Sequence, residues 1–168
     1  VPSVPVADIN DPKVVEAVQD WQPDLTVAFG VCRLKPETID ELPGILLNLH
    51  GGDPEKYRGL DTHLWAIYHS DFDSLVTTLH VLTPRLDTGD IVLQGHIPLR
   101  KDMPLHELRA ANTEGCIDLV KDAVGTLKSQ GKMALTKQKE AGRYYSFMPS
   151  VLKDQVKRRF EDFTRKLA

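Results

Sequence analysis

At 168 residues the chain is long enough to bury roughly two-thirds of the surface its unfolded form would expose, so one domain can fold without disulfides or a structural metal. Its 41% hydrophobic and 27% charged residues are those of a globular protein, and no apolar run approaches the ~20 residues of a membrane-spanning helix. The formal net charge of -3 supplies no electrostatic footprint for nucleic acid, and two cysteines without CxxC spacing, Cys32 and Cys116, predict reduced, buried thiols in a cytoplasmic protein.

Asp11-Pro12 ahead of Val14, Val15, Ala17, Val18 and Trp21 predicts an N-capped helix with proline in its first position. Residues 25–29, ended by Gly30, read as a buried parallel strand, 36–42 as a short helix, and 45–50 as a second strand completing a β-α-β unit. The polar loop 51–59 exceeds the ~4 to 6 residues of an ordinary connection, and loops of that kind often hold substrate. Residues 61–69 predict a helix, and 75–83 and 90–99 predict strands that pair around a turn at Asp87.

Residues 104–130 predict a long helix with Leu105, Leu108, Cys116, Leu119, Val120, Ala123, Val124 and Leu127 facing inward, interrupted at Gly115. A short strand at 134–138 follows. A last helix carries Leu152, Val156, Phe160, Phe163 and Leu167 on one face, and its lysines and arginines read as a solvated surface.

Asn48, His50 and Asp87 stand where predicted strands end, which is where open α/β sheets place their chemistry. An imidazole beside a carboxylate retains a proton near neutrality and donates to a developing oxyanion, and an amide adds a second donor. That set suits acyl transfer to an external nucleophile, since no GxSxG elbow supplies a serine. A metal is not expected: histidines and aspartates are dense between His50 and His80, but there is no HExxH, and His63 and His69 fall on different helix faces. Gly51-Gly52 matches neither phosphate-loop nor dinucleotide patterns. Taken singly, Asn-x-His and Asp-Thr-Gly also suit plain turns.

In order and spacing, Asn48-Leu49-His50, Tyr57-Arg58-Gly59, Trp65-Ala66-Ile67, Thr78-Leu79-His80 and the run from Leu86 to Gln94 resemble the core of the folate-dependent formyltransferases. That family includes methionyl-tRNA formyltransferase, glycinamide ribonucleotide transformylase and the amino-sugar N-formyltransferases. The resemblance implies an α/β fold with a Rossmann-like formyltransferase core, a mostly parallel sheet flanked by helices. It implies one catalytic domain over residues 1–168 that lacks the family's opening strand-helix-strand portion. The start at Val1 rather than Met leaves open a processed product or part of something longer.

Carried over by position, the resemblance implies that Asn48 and His50 bind the formyl oxygen of 10-formyltetrahydrofolate, while Asp87 orients His50 and keeps it charged. The pterin would lie against Phe29, Gly30, Arg33, Leu34, Leu86, Gly89 and Asp90. Asp61, His63 and His80 are expected near the acceptor. The family's Ser-Leu-Leu-Pro after the histidine is here Gly51-Gly52-Asp53-Pro54, so that loop is rebuilt. The expected reaction is formyl transfer from 10-formyltetrahydrofolate to a primary amine of a small molecule such as an amino sugar, with neither metal, nucleic acid nor membrane as partner. The alternatives are a noncatalytic or truncated folate-binding module, a formyltetrahydrofolate hydrolase and a methionyl-tRNA formyltransferase. Tyr144, Tyr145 and Phe147 suit core packing, an acceptor wall or a homodimer contact.

Overall fold

The computed structural model describes residues 3–168. Asp11 caps α1 (Pro12–Trp21) by accepting from the Lys13 N–H at 3.0 Å, with Pro12 at the first position, where a missing N–H costs nothing. Next come β1 (Leu25–Ala28), α2 (Pro36–Glu41) and β2 (Ile45–His50). β1 and β2 pair in parallel, Leu25 opposite Ile45 and Ala28 opposite Asn48, a pairing that needs the crossover the 29–44 segment supplies. After β3 (Tyr57–Gly59) and α3 (Thr62–Tyr68), β4 (Val76–Val81) and β5 (Ile91–His96) complete the main sheet, in the order β1-β2-β4-β5.

The α/β architecture is the expected one, but the sheet is mixed rather than mostly parallel. β4 runs antiparallel to both its neighbours. For β4 and β5 the reason lies in the connection: residues 82–90 are too few to carry a crossover helix, so the two form a hairpin-like pair.

A 3₁₀ turn at Leu105–Glu107 leads into α4 (Leu108–Gln130), which runs unbroken through Gly115. Packing against the sheet holds it there: Ala123 and Leu119 meet Leu47, Leu79 and Leu93, and Leu47 and Leu79 are fully enclosed. A second core joins α3 to α5 (Ser150–Thr164), with Ala66, Ile67, Leu75, Val156 and Phe160 at its centre. Within α5 the buried positions are Val156, Phe160 and Thr164; Leu167 lies beyond its end.

Three expectations are corrected. The strand at 134–138 reduces to a single bridge between Thr136 and Ile91. Cys116 is buried, with its thiol pKa pushed up by burial, but Cys32 is exposed in the loop after β1. The 51–59 loop is not wholly irregular: Tyr57, Arg58 and Gly59 pair in parallel with Arg143, Tyr144 and Tyr145 of β6 (Arg143–Tyr145). Strands of three residues leave no alternation to read, so pattern alone does not reveal this small second sheet.

Candidate active site

Side chains two apart on a strand share a face, so Asn48 and His50 project together from the end of β2. Antiparallel pairing puts His80 of β4 opposite Asn48. The Asn48 Nδ2 donates to His80 Nε2 at 3.1 Å, and His80 Nδ1 donates to the Val81 carbonyl at 2.8 Å. This pair of bonds defines one tautomer of His80 and so aims the Asn48 amide.

Asp87 comes from the 82–90 connection, where its backbone is left-handed at φ 54°. Gly89 lets the turn close beneath it, since a Cβ at that position would stand 1.8 Å from the Val81 carbonyl oxygen. One carboxylate oxygen lies 3.5 Å from His50 Nδ1 and 3.7 Å from His80 Nε2; the other accepts the Gly59 N–H at 2.8 Å. His50 Nε2 donates to the Tyr57 carbonyl at 2.8 Å. Asn48, His50, His80 and Asp87 thus form one network, with His50, His80 and Asp87 all under 10% exposed.

Burial drives the His50 pKa below the ordinary histidine value, against the pull of Asp87 and the Tyr57 carbonyl. His50 is therefore neutral at neutral pH, not held charged by Asp87 as expected. A proton taken up by the ring nevertheless finds acceptors beside both nitrogens. Burial works to raise the pKa of Asp87, but the neighbouring His80 and His50 and the Gly59 N–H outweigh it, so this carboxyl sits below the usual range.

The network opens into a cleft of about 1040 Å³. Phe29, Gly30, Arg33, Leu34 and Leu86 are among its lining residues, whereas Gly89 and Asp90 are not. Arg33 donates to the Pro84 carbonyl at 3.0 Å, tying the loop after β1 to the loop that carries Asp87. Asp61, His63 and His80 line the cleft too, each with at least one polar atom engaged. Asp61 accepts the Met148 N–H at 2.9 Å, and His63 Nε2 donates to the Val76 carbonyl at 2.7 Å. Burial pushes the His63 pKa down to about 4.

The rebuilt loop after His50 has a physical counterpart. Thr62 donates to the Gly51 carbonyl and Thr78 to the Gly52 carbonyl, the latter at 2.7 Å. A Cβ on Gly51 would come within 3.0 Å of the His63 ring, so the glycines let α3 pack directly on this backbone. A further part of the lining, His106 from the 3₁₀ turn and Arg109 and Asn112 from the start of α4, has no signal in the sequence, where polar residues on an amphipathic helix read as solvent-facing. Tyr144 and Phe147, 52% and 69% exposed, also line the cleft, so they are not core residues.

Residues 6–115 match the formyl transferase family. The chain belongs to the formyltransferase family. Methionyl-tRNA formyltransferase of Rhodopirellula baltica is 32% identical over 124 residues, covering 73% of this chain and 37% of that protein. HypX from Aquifex aeolicus, in complex with tetrahydrofolic acid, shares the fold with a TM-score of 0.65 at 23% identity, over 90% of this chain and 27% of that one. PseJ from Anoxybacillus kamchatkensis, in complex with UDP-4,6-dideoxy-4-formamido-L-AltNAc and tetrahydrofolate, matches with a TM-score of 0.62 at 23% identity, over 79% of this chain and 66% of that one. This formyltransferase-family chain spans 32% to 52% of the length of six curated relatives that it matches. Among its described residues no helix is long and apolar enough to cross a membrane.

Proposed function

We propose that this chain forms the catalytic core of a folate-dependent formyltransferase that transfers a formyl group to a primary amine of a small-molecule acceptor. The observation that carries the reading is the Asn48, His50, His80 and Asp87 network at the floor of a cleft whose walls come from two tied loops. Family membership supports the reaction type, and the folate and sugar-nucleotide complexes of relatives support the two ligand classes.

The cleft fits a folate. Phe29, Val31 and Leu86 offer exposed apolar surface beside backbone polar groups, the mixture a flat heteroaromatic ring requires. Phe29, Gly30, Arg33, Leu34 and Leu86 would hold it, and when bound 10-formyltetrahydrofolate supplies the formyl group.

The residues divide the remaining work. Asn48 has one N–H committed to His80 and a second left to meet the negative charge that develops on a carbonyl oxygen as an amine adds. His50, neutral before the attack, accepts the proton the amine sheds and would pass it to the nitrogen of the departing tetrahydrofolate as the old carbon–nitrogen bond breaks. The resulting imidazolium lies between Asp87 Oδ1 and the Tyr57 carbonyl. Asp87, held ionised by its donors, steadies that cation and does not itself take the proton. Asp61 and His63, committed to Met148 and Val76, shape the acceptor wall through packing more than through free polar groups.

The test is transfer of labelled formyl from 10-formyltetrahydrofolate to a panel of amines, amino sugars and methionyl-tRNA, with His50→Ala as control. Label on an amine that is lost in the variant establishes the reaction and names the acceptor. Label released as formate alone indicates a hydrolase, folate binding without turnover a binding module, and no folate binding overturns the reading.

A further inference from the structure

Asp87 is fixed from two directions. Its side chain is met by the Gly59 N–H, and its backbone is met by a residue with no part in the chemistry described above. Gln138 Nε2 donates to the carbonyls of both Asp87 and Gly89, at 3.1 and 2.7 Å, bracketing the left-handed turn. Both its N–H groups are thereby used, while its Oε1 is buried without a partner among the described residues. Leaving an amide oxygen unpaired is unfavourable, so a buried one calls for an explanation.

Gln138 belongs to a strap that reaches the rest of the network. Thr136 exchanges both backbone hydrogen bonds with Ile91, at 2.8 Å each. The Lys139 N–H donates to Glu55, and the Gly142 and Arg143 N–H groups donate to the carbonyls of Pro54 and Lys56, both at 3.0 Å. Arg58 closes the circuit, its guanidinium donating to the Gly142 carbonyl and, at 3.4 Å, to the Leu86 carbonyl. The segment gripped in this way, 53–59, presents the Tyr57 carbonyl to His50 and the Gly59 N–H to Asp87.

We infer that Gln138 is a positioning residue that sets where the Asp87 carboxylate stands relative to His50, an inference that rests on the reading of those two residues as a working pair. A turn with a non-glycine residue at positive φ relaxes unless its surroundings hold it. The two amide hydrogens of Gln138 are what face its carbonyls. Without them the carboxylate is free to rotate off His50 while the fold survives on its two cores.

The experiment follows the His50 Cε1–H proton resonance of the full chain through a pH titration, assigned by its absence from His50→Gln. Gln138→Met keeps the length and removes both donors; Asp87→Asn sets the scale; Gln19→Met, which loses a remote bond to the Glu41 carbonyl, is the control. Asp87 supports protonation of His50, so Gln138→Met is expected to lower the His50 midpoint by at least half the displacement in Asp87→Asn, with Gln19→Met unchanged. Gln138→Glu, which turns a carboxylate toward two carbonyls, is expected to displace it as well and serves if the methionine variant does not fold. In the transfer assay kcat falls tenfold or more with KM for 10-formyltetrahydrofolate within twofold.

A His50 midpoint in folded Gln138 variants that coincides with the wild type while Asp87→Asn moves it overturns the inference. So does an unmoved midpoint in Asp87→Asn, since Asp87 then exerts nothing on His50 for Gln138 to preserve. Absence of formyl transfer in the wild type would overturn the proposed function alone and leave the titration standing as the test of Gln138.

Discussion

Asn48 and His50 sit where a strand run stops, and that much is readable because side chains at i and i+2 must share a face. Their electrostatic state is not readable, since it depends on burial and on backbone carbonyls far along the chain. The expectation of a charged His50 fails for that reason: depth, not the neighbouring carboxylate, is the larger influence. Asp87 matters most when the ring takes up a proton. Asp87→Asn is therefore expected to lower turnover on the order of a hundredfold while folate affinity stays nearly intact. Steady-state transfer kinetics beside a tetrahydrofolate binding isotherm checks this, and near-normal turnover would remove Asp87 from the mechanism. Asp61→Ala belongs to another class: its carboxylate meets the Met148 N–H, so it should loosen the 146–149 segment and raise the acceptor KM before it lowers kcat.

The element that decides the site is the pair of three-residue strands, β3 and β6. Local pattern marks neither, yet their pairing sets both the carbonyl on His50 and the N–H on Asp87. Gly142, just ahead of β6, is a close point of contact with the 54–56 backbone. A Cβ there would stand 2.5 to 2.7 Å from the Lys56 backbone and the Pro54 carbonyl oxygen, too close for either side to absorb by a rotamer change. Gly142→Ala should pry β6 from β3 and leave the main sheet intact. Hydrogen exchange would show the Gly59 and Arg143 amides deprotected and those of β4 unchanged. Unaltered protection at Gly59 would mean the small sheet is not what holds that amide.

For the whole molecule, the site's buried imidazoles make stability depend on pH. His63 has a folded pKa of about 4, below the ordinary 6.5. As pH falls the unfolded chain binds this proton first, so the stability of the neutral ring is complete above the ordinary value and lost toward the folded one. For His63 the loss between pH 7 and pH 5 is roughly 2 kcal/mol, and His50, shifted the same way, adds to it. The groups facing His50 are Asp87, His80, Asp53 and His63. The lowered carboxyls of Asp71 and Asp87 act in a separate window, where stability is present above the ordinary 3.8 and lost below it. Urea unfolding at the two pH values should show the drop, and His63→Gln should shrink it; equal stability at both would mean solvent reaches these rings.

Sequence by itself determined what is set by near neighbours and by period. The capped first helix, the strands at Ile45–His50 and Val76–Val81, the enclosed face of α4 and the residue types on the cleft floor all follow from spacing, turn chemistry and apolar stripes. Tertiary structure alone decided the antiparallel placement of β4, the joining of β3 to β6, the part of the cleft lining contributed by His106 and Arg109, and the grip of Gln138 on the Asp87 turn. The strand pairings and the Gln138 grip join segments far apart in the chain through backbone groups that every residue carries, and that lining depends on where α4 packs. Backbone donors and acceptors leave no mark on composition or periodicity, so their pairing is specified only when the whole chain has packed.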